Sequence, residues 1–472
     1  MEKFFKLKEK GTNVKTEFIA GLTTFMAMAY ILMVNAGMFS NPFGDGTNVL
    51  GVSYGAMYIT TALSAIIGTV LIGLLANLPL AQAPGMGLNA FFVYTVCVGF
   101  GLSYANALVL VLADGLIFIL LTVTGLRKKI FTAIPKVVQV AIPAGIGLFI
   151  AFIGFQNSKL VVDDGATLVK MGSLNLLGGT TTWAQAMPIL ITFFSLVLIA
   201  VLAKKNVKGS ILFGIIGGSI AYYILGYATV AEFGATVNVS GLNPFTAFAD
   251  FSTQTLGAIF KGGFDFSPYI AEHGMSNFIL IFATTALSFC MVDMFDTLGT
   301  LYGACTRGGL LTKEGEIPNM NKAMLADAVA TTTGSLLGTS TVTTFVESSA
   351  GVVEGGKTGL TSMFTALFFT IALFLSPVAQ LIPGCATAAA LIYVGVLMMA
   401  CVKDVDWMKP NVAVPAFLTV VMMAFTYNIS FGIGIGILSS IFIDVLTGEA
   451  KKISITTYIL AVLFGLTFFL TH

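Results

Sequence analysis

The sequence predicts an all-α polytopic membrane protein of fourteen transmembrane segments, built as two inverted sets of seven, with short β-strands where the third and tenth segments are broken. Three observations lead there. Hydrophobic residues make up 57% of the 472-residue chain and charged residues 10%, with a mean hydropathy of +0.94. Apolar runs of about 20 residues, the length that crosses a bilayer, therefore follow one another almost end to end. Lys and Arg collect in every second connection, and one segment in each half contains residues that a helix interior does not tolerate.

The apolar runs fall near 16–38, 55–77, 80–100, 104–125, 137–155, 184–203 and 209–229. An amphipathic connector at 244–265 follows. A second set lies near 276–303, 321–337, 339–353, 359–382, 386–402, 412–427 and 429–447. The apolar stretch 453–470 falls outside this pattern and reads as a further span or an interfacial helix. Trp183 and Trp407 stand at segment edges, where amphipathic rings favour the headgroup region.

With the N-terminus on the cytoplasmic side of the cell membrane, all but Lys159, Lys170 and Lys261 of the 23 Lys and Arg residues face that side. They include Lys3 to Lys15, Arg127 to Lys129, Lys204 to Lys208, Lys313, Lys451 and Lys452. Basic residues favour the cytoplasmic face, and miscounting one early span would scatter them. The charged N-terminus runs into a long apolar stretch without a small-residue cleavage site, so it reads as a retained cytoplasmic start.

Composition also excludes function classes. A net charge of +1 gives no case for nucleic acid. Cys97, Cys290, Cys305, Cys385 and Cys401 form no CxxC pair and show no metal-ligand spacing, and His273 and His472 supply little for a metal or hydrolase centre. No metal or cofactor is expected. The bilayer is the environment, and pairing into a homodimer is compatible with the sequence.

Seven spans repeated once place the two halves in opposite orientations, a transporter architecture with its site where helices break near the midplane. In the first half, Pro84, Gly85 and Gly87 interrupt the third segment, so a half-helix is expected to begin near Leu88 or Asn89. In the second half, the β-branched run Thr341 to Val346 reads as a strand, with a half-helix beginning near Glu347. Two such strands can pair with each other, provided they are buried. Asn89 both donates and accepts, which suits a planar heterocycle; its alternative reading is an N-cap for its own half-helix. Glu347 accepts two N–H bonds when ionised and offers a proton when neutral. Thr344, in the strand, joins them as a substrate-binding candidate.

Carboxylates within the spans are functional hypotheses, since one at the bilayer centre costs roughly 2.5–3.5 kcal/mol on insertion scales. Asp293, Asp296, Thr297 and Thr300 recur three and four residues apart in the eighth segment and so share a face. Burial and a like neighbour both favour the protonated form of a carboxylic acid, which is what proton coupling uses. The alternative for the pair is helix packing through hydroxyl or backbone bonds. Asp327 in the ninth segment is a further coupling candidate. Asp114 is another, with interhelical packing the more economical reading.

The strings GLTTFMAMAYI (Gly21 to Ile31), APGMGLNAFF (Ala83 to Phe92), FDTLGT (Phe295 to Thr300), GTSTVTTFVESSAG (Gly338 to Gly351) and VPAFLT (Val414 to Thr419) span nearly the whole chain in order. Together they resemble the nucleobase/cation symporter-2 superfamily, specifically its AzgA-like branch of adenine, guanine and hypoxanthine permeases. The resemblance implies a core domain (16–125 and 276–382), a gate domain (126–229 and 383–447), a connector (230–275) and a C-terminal segment (448–472). It implies proton-coupled purine uptake by alternating access between core and gate. It also implies that Asn89, Asp296 and Glu347 bind and couple, and that Phe91 and Phe92 lie where an aromatic stacks on the base. Asp293 precedes the matching motif, so its coupling role rests on spacing alone. Three matters stay open: Na+ in place of H+, an anion, xanthine or uracil as substrate on the same architecture, and an intramembrane protease. The last requires aspartates on separate segments, whereas Asp293 and Asp296 share one turn.

Overall fold

Apolar runs bounded by Ser, Thr and Asn become helices where the spans are expected, because these residues close the free N–H groups of the first turn. Asn13, Ser53 and Ser103 each accept an amide three residues on, at 3.0, 3.1 and 3.1 Å. The computed structural model describes residues 2–125, 134–231, 233–236, 243–312, 316–450 and 453–470. Arg127, Lys128, Lys129, Lys313, Lys451, Lys452 and His472 lie outside them.

The helices that follow the expected segments are numbered in chain order. They are α1 Val14–Ser40, α2 Tyr54–Leu75, α3 Met86–Gly99, α4 Tyr104–Thr124, α5 Lys136–Asn157, α6 Trp183–Lys204, α7 Ser210–Thr229 and α8 Met275–Arg307. There follow α9 Met320–Leu337, α10 Ser349–Val353, α11 Gly359–Ala379, α12 Gly384–Asp404, α13 Pro410–Phe425, α14 Ile429–Leu446 and α15 Ile455–Leu470. Among the described residues, ten are long and apolar enough to cross a membrane: α1, α2, α4 to α8, α11, α12 and α14.

The other four expected segments fall short for physical reasons. The expected segments 80–100 and 339–353 begin as strand before α3 and α10; α9 has the length, but Lys322, Asp327 and three successive threonines dilute its hydropathy. The helix α13 runs for only 16 residues from Pro410. The tail helix α15 also has 16 residues, short of the 20 or so that a span needs, and packs against α14 and α8.

Strand β1, Gln82–Pro84, pairs antiparallel with β4, Val342–Thr344, in the register Gln82 with Thr344 and Pro84 with Val342. The ladder continues through Gly85 N–H to Thr341 O and Phe345 N–H to Ala81 O, both 3.0 Å. All six strand residues are buried, the condition under which non-helical backbone survives at membrane depth.

Strands are not confined to the broken segments, as the sequence reading had them. An outer hairpin, β2 Val161–Asp164 with β3 Leu168–Met171, connects α5 to α6. Its turn is closed by Asp164, which accepts from Ala166 N, Thr167 N and the Lys170 ammonium at 2.9, 3.0 and 2.8 Å. These donors, Lys170 foremost, hold the Asp164 carboxyl well below the usual carboxylate range. The connector forms the short helices Pro244–Asp250, Phe251–Thr255 and Ala258–Phe260, and it docks on α2 through Ser53 Oγ to Asp250 and Ser53 N–H to Gln254, both 2.7 Å.

Two packing groups result. Helices α1, α2, α4, α9 and α11 contact one another extensively, as do α5, α6, α7, α12, α13 and α14. The α5–α12 seam runs on glycines: a Cβ on Gly395 would lie 2.4 Å from the Gly147 carbonyl oxygen, which is backbone and cannot yield. Gly395→Val is therefore expected to cost about 3 kcal/mol, the upper end of the overpacking range. Thermal unfolding of the detergent-solubilised protein checks this, with Gly384→Ala, where a Cβ meets nothing within 4 Å, as the unchanged control.

Candidate functional site

The strand pair is the scaffold of the site, and the two half-helices leave from its opposite ends. At one end Ser348 ties the turn Val346–Ser348 to β1, accepting from Ala81 N–H at 3.0 Å. This places Glu347 beside α1, where the Tyr30 hydroxyl donates to Glu347 Oε1 at 2.7 Å. Asp296 of α8 lies within electrostatic reach of both. Asp296 and Glu347 are only part-buried, whereas Asp293 and Asp327 have no exposed surface. The four carboxylates thus divide into a part-buried pair and a fully buried pair.

Asp327 is a knot in the scaffold. It accepts from Gln82 Nε2 (2.9 Å) and Thr344 Oγ1 (3.2 Å) on one oxygen and from Thr297 Oγ1 (2.8 Å) on the other, joining α9 to both strands and to α8. Thr344 also accepts from Gln82 at 3.1 Å, so its hydroxyl points into this network. Thr297 shares a hydrogen bond with Thr343 at 2.7 Å. Asp293, one turn before Asp296, accepts from Thr331 at 3.3 Å.

Asn89 stands at the far end of the strand pair. It is not the first residue of its half-helix. The helix begins at Met86 on the N-cap Gly85, and the Asn89 N–H donates to Gly85 O at 2.8 Å as a first-turn helical bond. Gly87, read from sequence as a breaker, is instead a contact residue, since a Cβ there would lie 2.3 Å from Ile146 Cγ2 of α5. The Asn89 side chain donates to Pro84 O at 3.3 Å and accepts from Ser340 Oγ, holding the two broken segments together. The helix then widens to π geometry over Phe91–Gly99, a form that recurs at functional sites.

Both phenylalanine rings are buried against other aromatics. Phe91 meets Phe289 edge-on at 4.8 Å, on the α8 face that carries Asp293 and Asp296. Phe92 packs between Phe39 (5.2 Å) and Tyr104 (6.0 Å) and so lies with α1 and α4. The structure therefore gathers Glu347 and Asp296, gathers Thr344 and Asp327 behind them, and holds Asn89 and Phe92 apart from the first pair.

Sequence reasoning missed Tyr30 and Gln82. Tyr30 is hidden in an apolar run and meets Glu347 across 317 residues of chain. Gln82 had a legible signal, as a lone amide in a segment already read as broken. A cavity of about 730 Å³ opens over Met33, Val34 and Gly37 of α1, with Tyr54, Tyr222 and Lys159 in its wall. Met33 lies about one turn beyond Tyr30, so the helix that lines the cavity also holds Glu347.

The family model described as "Permease family" (Xan_ur_permease) matches residues 15–435. The chain belongs to this permease family. It is 38% identical to the guanine/hypoxanthine permease PbuG of Bacillus subtilis, over 99% of each chain. It is 36% identical to the adenine permease AdeP of Escherichia coli, over 98% of this chain and 95% of that one. Among solved structures, the transmembrane domain of the cyanobacterial bicarbonate transporter BicA superposes with a TM-score of 0.61 at 15% identity, covering 89% of this chain and 97% of that domain. The permease is thus an integral, multi-pass membrane protein, a transporter and not an enzyme.

Proposed function

We propose that this permease is a secondary active transporter that takes up adenine, guanine or hypoxanthine together with a proton by alternating access. The observation that carries the reading is the Tyr30–Glu347–Asp296 group: two part-buried carboxylates at one end of a buried strand pair, one oriented by a phenol. Carboxylates accept the N–H groups on a purine edge and disfavour an anionic substrate. The naming of PbuG and AdeP as purine permeases supports the same substrate class.

The finer architecture belongs to this proposal. Fourteen segments form the inverted seven-plus-seven repeat, with α3, α10 and α13 as its shorter members and α9 as a more polar one. The two packing groups act as core and gate, supported by the weight of contacts within each. The N-terminus faces the cytoplasm of the cell membrane, on the asymmetry of Lys and Arg. Exposed apolar side chains such as Phe193, Ile220 and Ile224 meet lipid or, in a homodimer, a second copy.

Radiolabelled hypoxanthine uptake into proteoliposomes tests the function. Accumulation is expected under an acid-outside gradient, with competition by adenine or guanine but not by uracil, and with loss on adding an uncoupler. Accumulation indifferent to pH and driven by a Na+ gradient would replace the proton with Na+. Competition by uracil or xanthine alone would move the substrate class.

A further inference from the structure

Behind the strand pair lies a group of acids that the substrate-facing pair does not need. Asp114 of α4, Asp293 of α8 and Asp327 of α9 are all fully buried. Thr341 donates to Asp114 Oδ2 at 3.1 Å and Thr331 to Asp293 Oδ2 at 3.3 Å, but Oδ1 of each has no hydrogen-bonding partner. The buried Gln82 amide, which donates to Asp327, also leaves its Oε1 without a partner. These are acceptor atoms, and a buried acceptor without a donor costs on the order of 1–3 kcal/mol. Asp293 lies within electrostatic reach of Asp327 foremost and then of Asp114, and Cys290 is within reach of both Asp114 and Asp293.

The surroundings supply no compensating charge. The groups facing the two aspartates are Cys290 and Asp296 on α8, Asp327 on α9 and Thr341 beside β4; Tyr30 and Glu347 lie beyond Asp296. The ion pairs among the described residues, Lys6–Glu9, Lys170–Asp164, Lys208–Glu354 and Lys409–Asp406, involve none of these groups. Nor do any three His, Cys, Asp or Glu side chains among the described residues form a group that could hold a metal ion. A proton on a carboxyl both cancels charge and turns an acceptor into a donor. Helix packing holds the site: a Cβ on Gly115 would lie 2.5 Å from Thr332 Oγ1, so α4 and α9 are in direct contact next to Asp114.

We propose that Asp114 and Asp293 form a second proton-binding station, distinct from the substrate-facing Asp296 and Glu347, whose proton is taken up with the purine. The proposal rests on the proton-coupled reading above. It gives Asp114, on a helix that presents no substrate-facing carboxylate, a role in driving transport without a role in recognising substrate.

The test uses the full-length protein in proteoliposomes and compares wild type with Asp114→Asn, which keeps the shape and carries a permanent N–H donor. Two quantities are read: hypoxanthine exchange at equal pH, and accumulation under a one-unit pH gradient. Each coupled proton supports about tenfold accumulation per pH unit. Asp114→Asn is expected to exchange hypoxanthine as wild type does and to lose about tenfold in accumulation, the work of one proton.

Unchanged accumulation overturns the station. So does a parallel loss of exchange and accumulation in a protein that still elutes as a sharp monomer or dimer peak, since that is a structural role. If Asp114→Asn does not fold, Thr341→Val, which removes only the donor to Asp114, is expected to shift the pH of half-maximal accumulation while sparing exchange, and no shift overturns the proposal. Wild-type accumulation that ignores the pH gradient is a different failure, that of proton coupling itself.

Discussion

Glu347→Gln is expected to reduce purine uptake by about 10- to 100-fold, the equivalent of one hydrogen bond to a charged group at roughly 1.5–3 kcal/mol. The substitution is close to isosteric. The amide oxygen still accepts from Tyr30, which in the wild type donates at 2.7 Å, so the side chain stays where α1 holds it. What is lost is the second acceptor oxygen, the charge and the exchangeable proton. An amide presents one acceptor and two donors, so a purine N–H that met carboxylate oxygen meets an N–H instead. Tyr30→Phe removes the orienting bond and leaves the charge and both carboxylate oxygens, and is expected to cost about 10-fold, the lower end of the range for a hydrogen bond to a charged group. Initial uptake rates for both variants, normalised to folded protein, separate the two effects. Full uptake by Glu347→Gln with an unchanged pH profile would remove the residue from the mechanism.

Local chemistry was legible in the sequence where a residue's own conformational limits decide the outcome. Pro84 and Gly85 mark the end of β1, and the β-branched run at 341–346 contains β4, so the two breaks and their pairing could be anticipated. The shared face of Asp293, Asp296 and Thr297 follows from helical periodicity alone. What was not legible depends on the other half of the chain. Which acid keeps some exposed surface and which is sealed depends on Gln82, Thr344 and Thr297 converging on Asp327 from three elements. Asn89 had the right chemistry for a binding residue, but its side chain closes on Ser340, a contact across 251 residues. Length alone does not make a span: α9 runs where 321–337 places it, but Lys322, Asp327 and three threonines keep its hydropathy low. The hairpin at Val161–Met171 gave no strong signal because its order comes from the single carboxylate of Asp164 closing a turn on Lys170.

Glu17 illustrates the same limit and leads to the largest expected effect on stability. At the edge of the first apolar run it looks like one more cytoplasmic charge, yet it has no exposed surface. Its Oε1 accepts from Lys357 N–H at 3.0 Å, and its Oε2 accepts from Thr358 Oγ1 (2.9 Å), Thr361 N–H (3.1 Å) and Thr361 Oγ1 (2.6 Å). These donors surround the start of α11, whose first-turn N–H groups have no partners within their own helix and carry the positive end of its dipole. A carboxylate from α1 therefore caps α11, fastening the helix that carries Tyr30 to a neighbour more than 300 residues away in sequence. Glu17→Ala takes the acceptor from four donors at once, three of them buried. It is expected to destabilise the protein by about 3–5 kcal/mol, since each buried donor left without an acceptor costs on the order of 1–3 kcal/mol. Glu17→Gln keeps an acceptor but turns an N–H toward donors, so its loss should fall between the two. Thermal unfolding of solubilised protein orders the three, with wild type highest and alanine lowest. Because α1 also positions Tyr30 against Glu347, uptake by the alanine variant should fall at temperatures where its folded fraction is still high. A melting curve and uptake rate for Glu17→Ala that both match wild type would show that water replaces the carboxylate at no cost, and that the cap does not hold α1 in place.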